Sequence, residues 1–200
     1  MASPGDVLRL GDDRLTFLTT AAQSGGAYVE VAVDYAPAVI KPPAHYHPKQ
    51  TERMQVRSGR LNLLLDGELH EYEAGDEFHI PPGAVHSLWN PGPEHTRIVW
   101  RTTPAYRTET VFETLWGLTN EGRLRPDGTP RLQMPLLALG FRDEYRVVTG
   151  RPFLVDMALC AALAPVSLAC GYRSSYRPEQ NPEDHLGDHL ADTRGAHQSV

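Results

Sequence analysis

Two short clusters of chemically distinctive residues lie between His45 and Asn90. They read HYHPKQTERMQVRSG and GDEFHIPPGAVHSLWN. In the first, His45 and His47 are separated by one residue, Glu52 follows, and Gly59 closes the run; in the second, Gly75 precedes Pro81, Gly83, His86 and Asn90. Alternate residues of a β-strand project to one face, so His45 and His47 can aim two imidazoles at a common point. A helix would not bring them together, so the pair predicts a strand.

The surrounding sequence fits short strands. Residues 28–35 (YVEVAVDY) alternate, with Val29, Val31 and Val33 on one face, as in a half-buried strand. Pro42 and Pro43 hold the backbone extended ahead of His45. In the strand expected from Glu52 to Val56, Glu52 shares a face with Met54 and Val56 while Arg53, Gln55 and Arg57 take the other. A carboxylate on an apolar face is costly unless it is paired or bound to metal. Asp66-Gly67, flanked by Leu61–Leu65 and Glu68–Tyr72, is the favoured dipeptide of a type I′ hairpin turn. Short strands and turns at this spacing predict an antiparallel sandwich or barrel.

The two clusters together resemble the cupin superfamily. Its motifs, His-x-His-x(3,4)-Glu-x(6)-Gly and Gly-x(5)-Pro-x-Gly-x(2)-His-x(3)-Asn, are met at His45, His47, Glu52, Gly59, Gly75, Pro81, Gly83, His86 and Asn90. The 15 residues between Gly59 and Gly75 match the short spacer of small cupins. One departure is Val39, which stands where the family usually has a Gly. The resemblance implies a mainly β fold, a double-stranded β-helix or jelly roll, over residues 28–104. It would carry an N-terminal strand and arm over 1–27. It also implies one divalent metal ion held by His45, His47, Glu52 and His86, with Glu52 as a catalytic base. Three imidazoles and a carboxylate suit iron, manganese, nickel or copper; zinc would more often be held tetrahedrally, without an open position. Met54, on the face of Glu52, is the candidate substrate-contacting residue, and Gln50 the candidate for orienting a ligand.

Beyond Pro104 the apolar period becomes helical. Val111, Phe112, Leu115, Trp116 and Leu118 form one such pattern, Gly122 fits its stop, and Pro135–Arg146 repeats it after a loop containing Asp127-Gly128. Residues 105–150 are therefore expected to form a helical extension packed on the barrel or on a partner. Residues 153–172, within an apolar helix expected over 151–172, form the most hydrophobic run, and its 20 residues are long enough to span a bilayer. Asp156 and Pro165 count against a membrane span, so a packed helix or homodimer contact is the expectation and membrane contact the less favoured alternative. The polar stretch 173–200 is expected to be a disordered tail. His185 and His189 within it are spaced for a helical metal site, but Gly187 weakens such a helix.

Net charge is −6 and no basic stripe is present, which argues against a nucleic-acid partner. The opening MASPGDVLRLGDD lacks the pattern of a secretory signal, so a cytoplasmic location is expected. Cys160 and Cys170, if helical, lie about 15 Å apart along the axis, too far for a disulfide. By resemblance, the expected activity is that of a metal-dependent enzyme of a small oxygen-containing organic substrate, similar to the quercetinase-like dioxygenases. Two alternatives keep the fold. One is a cyclase, isomerase or decarboxylase using the metal as a Lewis acid; the other is a ligand-binding cupin without catalysis.

Overall fold

The computed structural model describes residues 2–38, 41–120 and 133–175. Ten strands come first: β1 (Val7–Leu10), β2 (Asp13–Thr19), β3 (Val29–Tyr35), β4 (His45–Tyr46), β5 (Thr51–Ser58), β6 (Arg60–Leu65), β7 (Glu68–Glu73), β8 (Glu77–Ile80), β9 (His86–Trp89) and β10 (Thr96–Thr103). Helices α1 (Thr108–Asn120) and α2 (Met134–Gly140), strand β11 (Arg146–Val147) and helix α3 (Phe153–Ala169) follow.

The strands form two antiparallel sheets, ordered β1-β2-β3-β10-β5-β8 and β11-β4-β9-β6-β7. Alternation along each strand decides what lies between them. In β3, Val29, Val31 and Val33 are buried, and in β5 Glu52, Met54 and Val56 are buried while Arg53 and Arg57 are exposed. Phe17, Leu61, Leu63, Ile80 and Ile98 complete the interior with these residues. Each of the apolar side chains contributes roughly 1.5–3 kcal/mol by leaving water, whereas burial of the Glu52 carboxylate is a cost. This is the mainly β, double-stranded β-helix architecture with C-terminal helices.

Motif residues without metal chemistry have structural work. Gly59 turns β5 into β6 at φ +81°, and a Cβ there would stand 2.6 Å from Thr96 Oγ1 and 2.8 Å from the His95 carbonyl oxygen. Only glycine meets both demands. Asp66 and Gly67 have φ 48° and 93°, as a type I′ turn requires. The Asn90 side chain donates to the carbonyls of Tyr35 (3.1 Å) and Glu94 (2.7 Å), and its Oδ1 accepts the Gly92 N–H (2.9 Å). Gly83 N–H donates to the His47 carbonyl oxygen (2.9 Å), tying the second motif to the first.

The second helical stretch ends earlier than its periodicity predicts. α2 stops at Gly140, the chain turns, and Arg146–Val147 pairs antiparallel with Tyr46 and His45 of β4. Leu137, Phe141 and Tyr145 keep helical spacing because all three belong to a common apolar cluster or pack against it. The open edge of β4 captures the chain beyond that cluster, with Val148 N–H donating to the Ala44 carbonyl oxygen at 2.9 Å. Helix α3 packs against α2, yet Leu154, Leu159, Leu163, Val166 and Leu168 are exposed in the single chain. Among the described residues no helix is long and apolar enough to cross a membrane. Gly122, Asp127-Gly128, His185 and His189 lie outside the described residues, as does most of the expected tail.

Candidate metal centre

The two sheets bring the sequence-predicted ligands to one place. His45 in β4 stands opposite His86 in β9, and His47 follows β4 directly. Glu52 comes from β5 in the facing sheet. Ring centroids are 4.3 Å apart for His45 and His86, 5.3 Å for His45 and His47, and 5.4 Å for His47 and His86. One nitrogen from each of the three rings lies within 4.8 Å of the other two.

Hydrogen bonds behind the rings fix which nitrogen points inward. His45 Nδ1 faces the Pro43 carbonyl oxygen (3.2 Å), His47 Nδ1 that of Glu144 (2.6 Å), and His86 Nδ1 that of Ala84 (3.0 Å). A carbonyl oxygen only accepts, so each Nδ1 carries the hydrogen and a neutral ring presents a bare Nε2. Glu52 Oε1 lies 3.2 Å from His47 Nε2 and Glu52 Oε2 lies 3.0 Å from His86 Nε2. All four atoms are buried at ion-pair distance, and none meets full hydrogen-bond geometry with a group among the described residues. Lone pairs facing lone pairs in a dry interior repel. A proton or a cation among them relieves the conflict, and the donor set of imidazoles and carboxylate fits a divalent transition metal.

Electrostatics treat the groups differently. Burial, reinforced by the charges of the other two histidines, lowers the His45 pKa to about 3, so its ring stays neutral near neutrality. Burial also pushes the Glu52 carboxyl up, but His47 and His86 outweigh it and hold the group well below the usual carboxylate range. Burial likewise opposes a charge on His47, but the Glu52 carboxylate prevails and raises its pKa.

The other expected site residues lie as follows. Met54 is buried in the barrel core between its cross-strand neighbours Phe78 and Trp100. Gln50 is buried, and among the described residues its amide donates to the Pro104 and Ala105 carbonyls and to Thr108 Oγ1 at 2.8, 3.4 and 2.8 Å. It thereby ties the approach to β5 to the start of α1. Tyr46 faces away from the histidines, under the Arg146 guanidinium.

Two residues absent from the sequence expectation belong to the site. Glu144 supplies the acceptor for His47 Nδ1–H, and Tyr145 packs over His45 and His47 with centroid separations of 4.7 and 5.8 Å. Burial, with the Glu52 charge, raises the Tyr145 pKa, so the phenol stays protonated. Both arrive with β11. No local motif marks them, since their placement depends on a strand pairing across about half the chain.

Fold and donor set together define a double-stranded β-helix protein with three histidines grouped closely enough to hold a metal ion. Residues 31–101 match the family model described as Cupin domain. It is 28% identical to quercetin 2,3-dioxygenase of Bacillus subtilis over 122 residues, 61% of this chain and 35% of that protein. It is 38% identical to polyketide synthase CurC of Streptomyces cyaneus over 60 residues, 30% of this chain and 39% of that one. The chain thus spans well under half the length of these relatives. A double-stranded β-helix protein of Klebsiella pneumoniae superposes with a TM-score of 0.41 at 24% identity, covering 53% of this chain and 84% of that one.

Proposed function

We propose that this cupin is a metal-dependent enzyme acting on a small organic substrate through its hydroxyl or carbonyl oxygens, and that the reaction is a quercetinase-like oxidation with dioxygen as oxidant. The observation that carries the reading is the convergence of three imidazoles and the buried Glu52 carboxylate, whose oxygens lie 3.2 and 3.0 Å from His47 Nε2 and His86 Nε2. The similarity to a quercetin 2,3-dioxygenase supports the oxidative form.

His45, His47, His86 and Glu52 would hold the ion. When bound, it supplies open positions for oxygen ligands and a redox-active or Lewis-acidic centre. The chain's own residues account for the rest. The carbonyls of Pro43, Glu144 and Ala84 keep the Nε2 lone pairs directed inward. Glu52 would be the group to take a proton from a substrate hydroxyl at a carboxylate oxygen, once its contacts to His47 and His86 no longer hold its basicity down. Tyr145 covers two of the histidines and limits water at the site.

A non-oxidative cyclisation, isomerisation or decarboxylation would use the same residues. The similarity to a polyketide synthase supports keeping that second reading. Turnover of flavonol-like and diketone substrates, followed with an oxygen electrode and repeated without oxygen, separates the two. Oxygen uptake matched to substrate loss is expected. Equal turnover under anaerobic conditions would replace the first reading with the second, and turnover in neither would remove both for those substrate classes.

A further inference from the structure

The match to the cupin family ends at residue 101, yet one ligand of the candidate centre is oriented from well beyond it. His47 Nδ1–H donates to the Glu144 backbone carbonyl oxygen at 2.6 Å, across 97 residues of sequence. His45 and His86 instead use the carbonyls of Pro43 and Ala84, two residues before them. Their orientation comes with the local strand. That of His47 depends on where the post-barrel segment lies.

Arg107, at the approach to α1, holds that segment. Its Nε donates to Glu144 Oε1 at 3.0 Å, its Nη2 donates to the Gly140 carbonyl oxygen, and its guanidinium lies over the Phe141 ring at 4.9 Å. The Glu144 side chain is almost fully buried, whereas Arg107 is half exposed. A buried carboxylate needs its cation, so the chain at Glu144 is not free to drift. Lys49 pairs with Asp143 at 2.9 Å on the solvent side of the same segment, with both groups exposed, where such a pair contributes little.

We infer that Arg107 and Glu144 are positioning residues of the metal centre. Their ion pair sets the Glu144 carbonyl against His47, and that hydrogen bond holds the proton on Nδ1 and the lone pair on Nε2. This rests on the metal-centre reading for its consequence, but the hydrogen bond itself can be observed without metal. Loss of an outer hydrogen bond to a ligating histidine typically costs about 10- to 100-fold in metal affinity.

The test uses the full chain with Arg107→Gln, Arg107→Lys and Lys49→Ala. In metal-free, ¹⁵N-histidine-labelled protein, the parent should show His47 as the Nδ1–H tautomer. Arg107→Gln should exchange tautomers or lose the protected Nδ1–H signal, Arg107→Lys should recover it in part, and Lys49→Ala should leave it unchanged. With Mn(II) or Cu(II) as the probe, Arg107→Gln should bind about 10- to 100-fold more weakly and give an altered EPR spectrum. An unchanged tautomer and spectrum beside a lowered melting temperature would overturn the inference and leave Arg107 a packing residue. Should Arg107→Gln fail to fold, parent-like behaviour of Arg107→Lys with no Nδ1–H at His47 in the parent would overturn it equally. If the parent binds neither metal, the proposed function fails, while the tautomer measurement still decides the positioning claim.

Discussion

His45 and His86 face each other as antiparallel partners of β4 and β9, with ring centroids 4.3 Å apart and Nδ1 of each spent on a nearby carbonyl. Two neutral imidazoles so arranged point their remaining lone pairs inward. His47 and the Glu52 carboxylate close the set, and protonation of these groups should govern the stability of the metal-free protein.

Acid should destabilise the metal-free form through His45. Its folded pKa is lowered to about 3 from the ordinary value near 6.5, so between those values the unfolded chain binds the proton and the folded chain does not. Stability therefore falls as pH drops through that window. Glu52, with its folded pKa depressed, adds a contribution of the same sign that begins to be lost below about 4.3. His47, raised, contributes oppositely, losing stability as pH rises above about 6.5. Melting temperatures of metal-stripped protein should fall from pH 6.5 toward pH 3, and less steeply below about pH 4.3 in Glu52→Gln. A flat profile would contradict these environments.

Gly59 and Gly67 should respond differently to alanine. Both have positive φ, which costs a residue with a side chain about 1–2 kcal/mol. At Gly67 nothing lies within 4 Å of the added carbon, whereas at Gly59 it meets Thr96 Oγ1 and the His95 backbone at under 3 Å. Urea unfolding should place Gly59→Ala well below Gly67→Ala in stability. Equal losses would mean that the β5–β6 turn is not so tightly packed.

Removing the Tyr145 ring should expose the histidines it covers. Tyr145→Ala is expected to speed chelator-driven metal loss on the order of tenfold, through greater solvent access, while Tyr145→Phe keeps the ring and stays close to the parent. Stopped-flow release with a coloured chelator would show it. Identical rates in all three proteins would remove Tyr145 from the site's cover.

Much of the barrel was legible because strand alternation and turn chemistry are local. The buried face of Glu52, Met54 and Val56 and the Asp66-Gly67 turn follow from a period of two and from positive φ. The grouping of His45, His47 and His86 was legible as well, through the spacing of the two motifs, and Glu52 lies beside two of them. Tyr145 and Glu144 were not, because a tyrosine and a glutamate after a long insertion carry no spacing signal. The same region misled in secondary structure. Helical spacing from Pro135 reflected burial in one cluster, while pairing to the edge of β4 decided the backbone beyond Gly140.

The most direct test of the central claim is metal content in protein purified without an affinity tag, measured beside His86→Ala. One equivalent of iron, manganese, nickel or copper in the parent, lost in the variant while the β-sheet circular dichroism persists, is the expected result. Absence of metal from both, with no binding when each ion is titrated into the folded parent, would contradict the account.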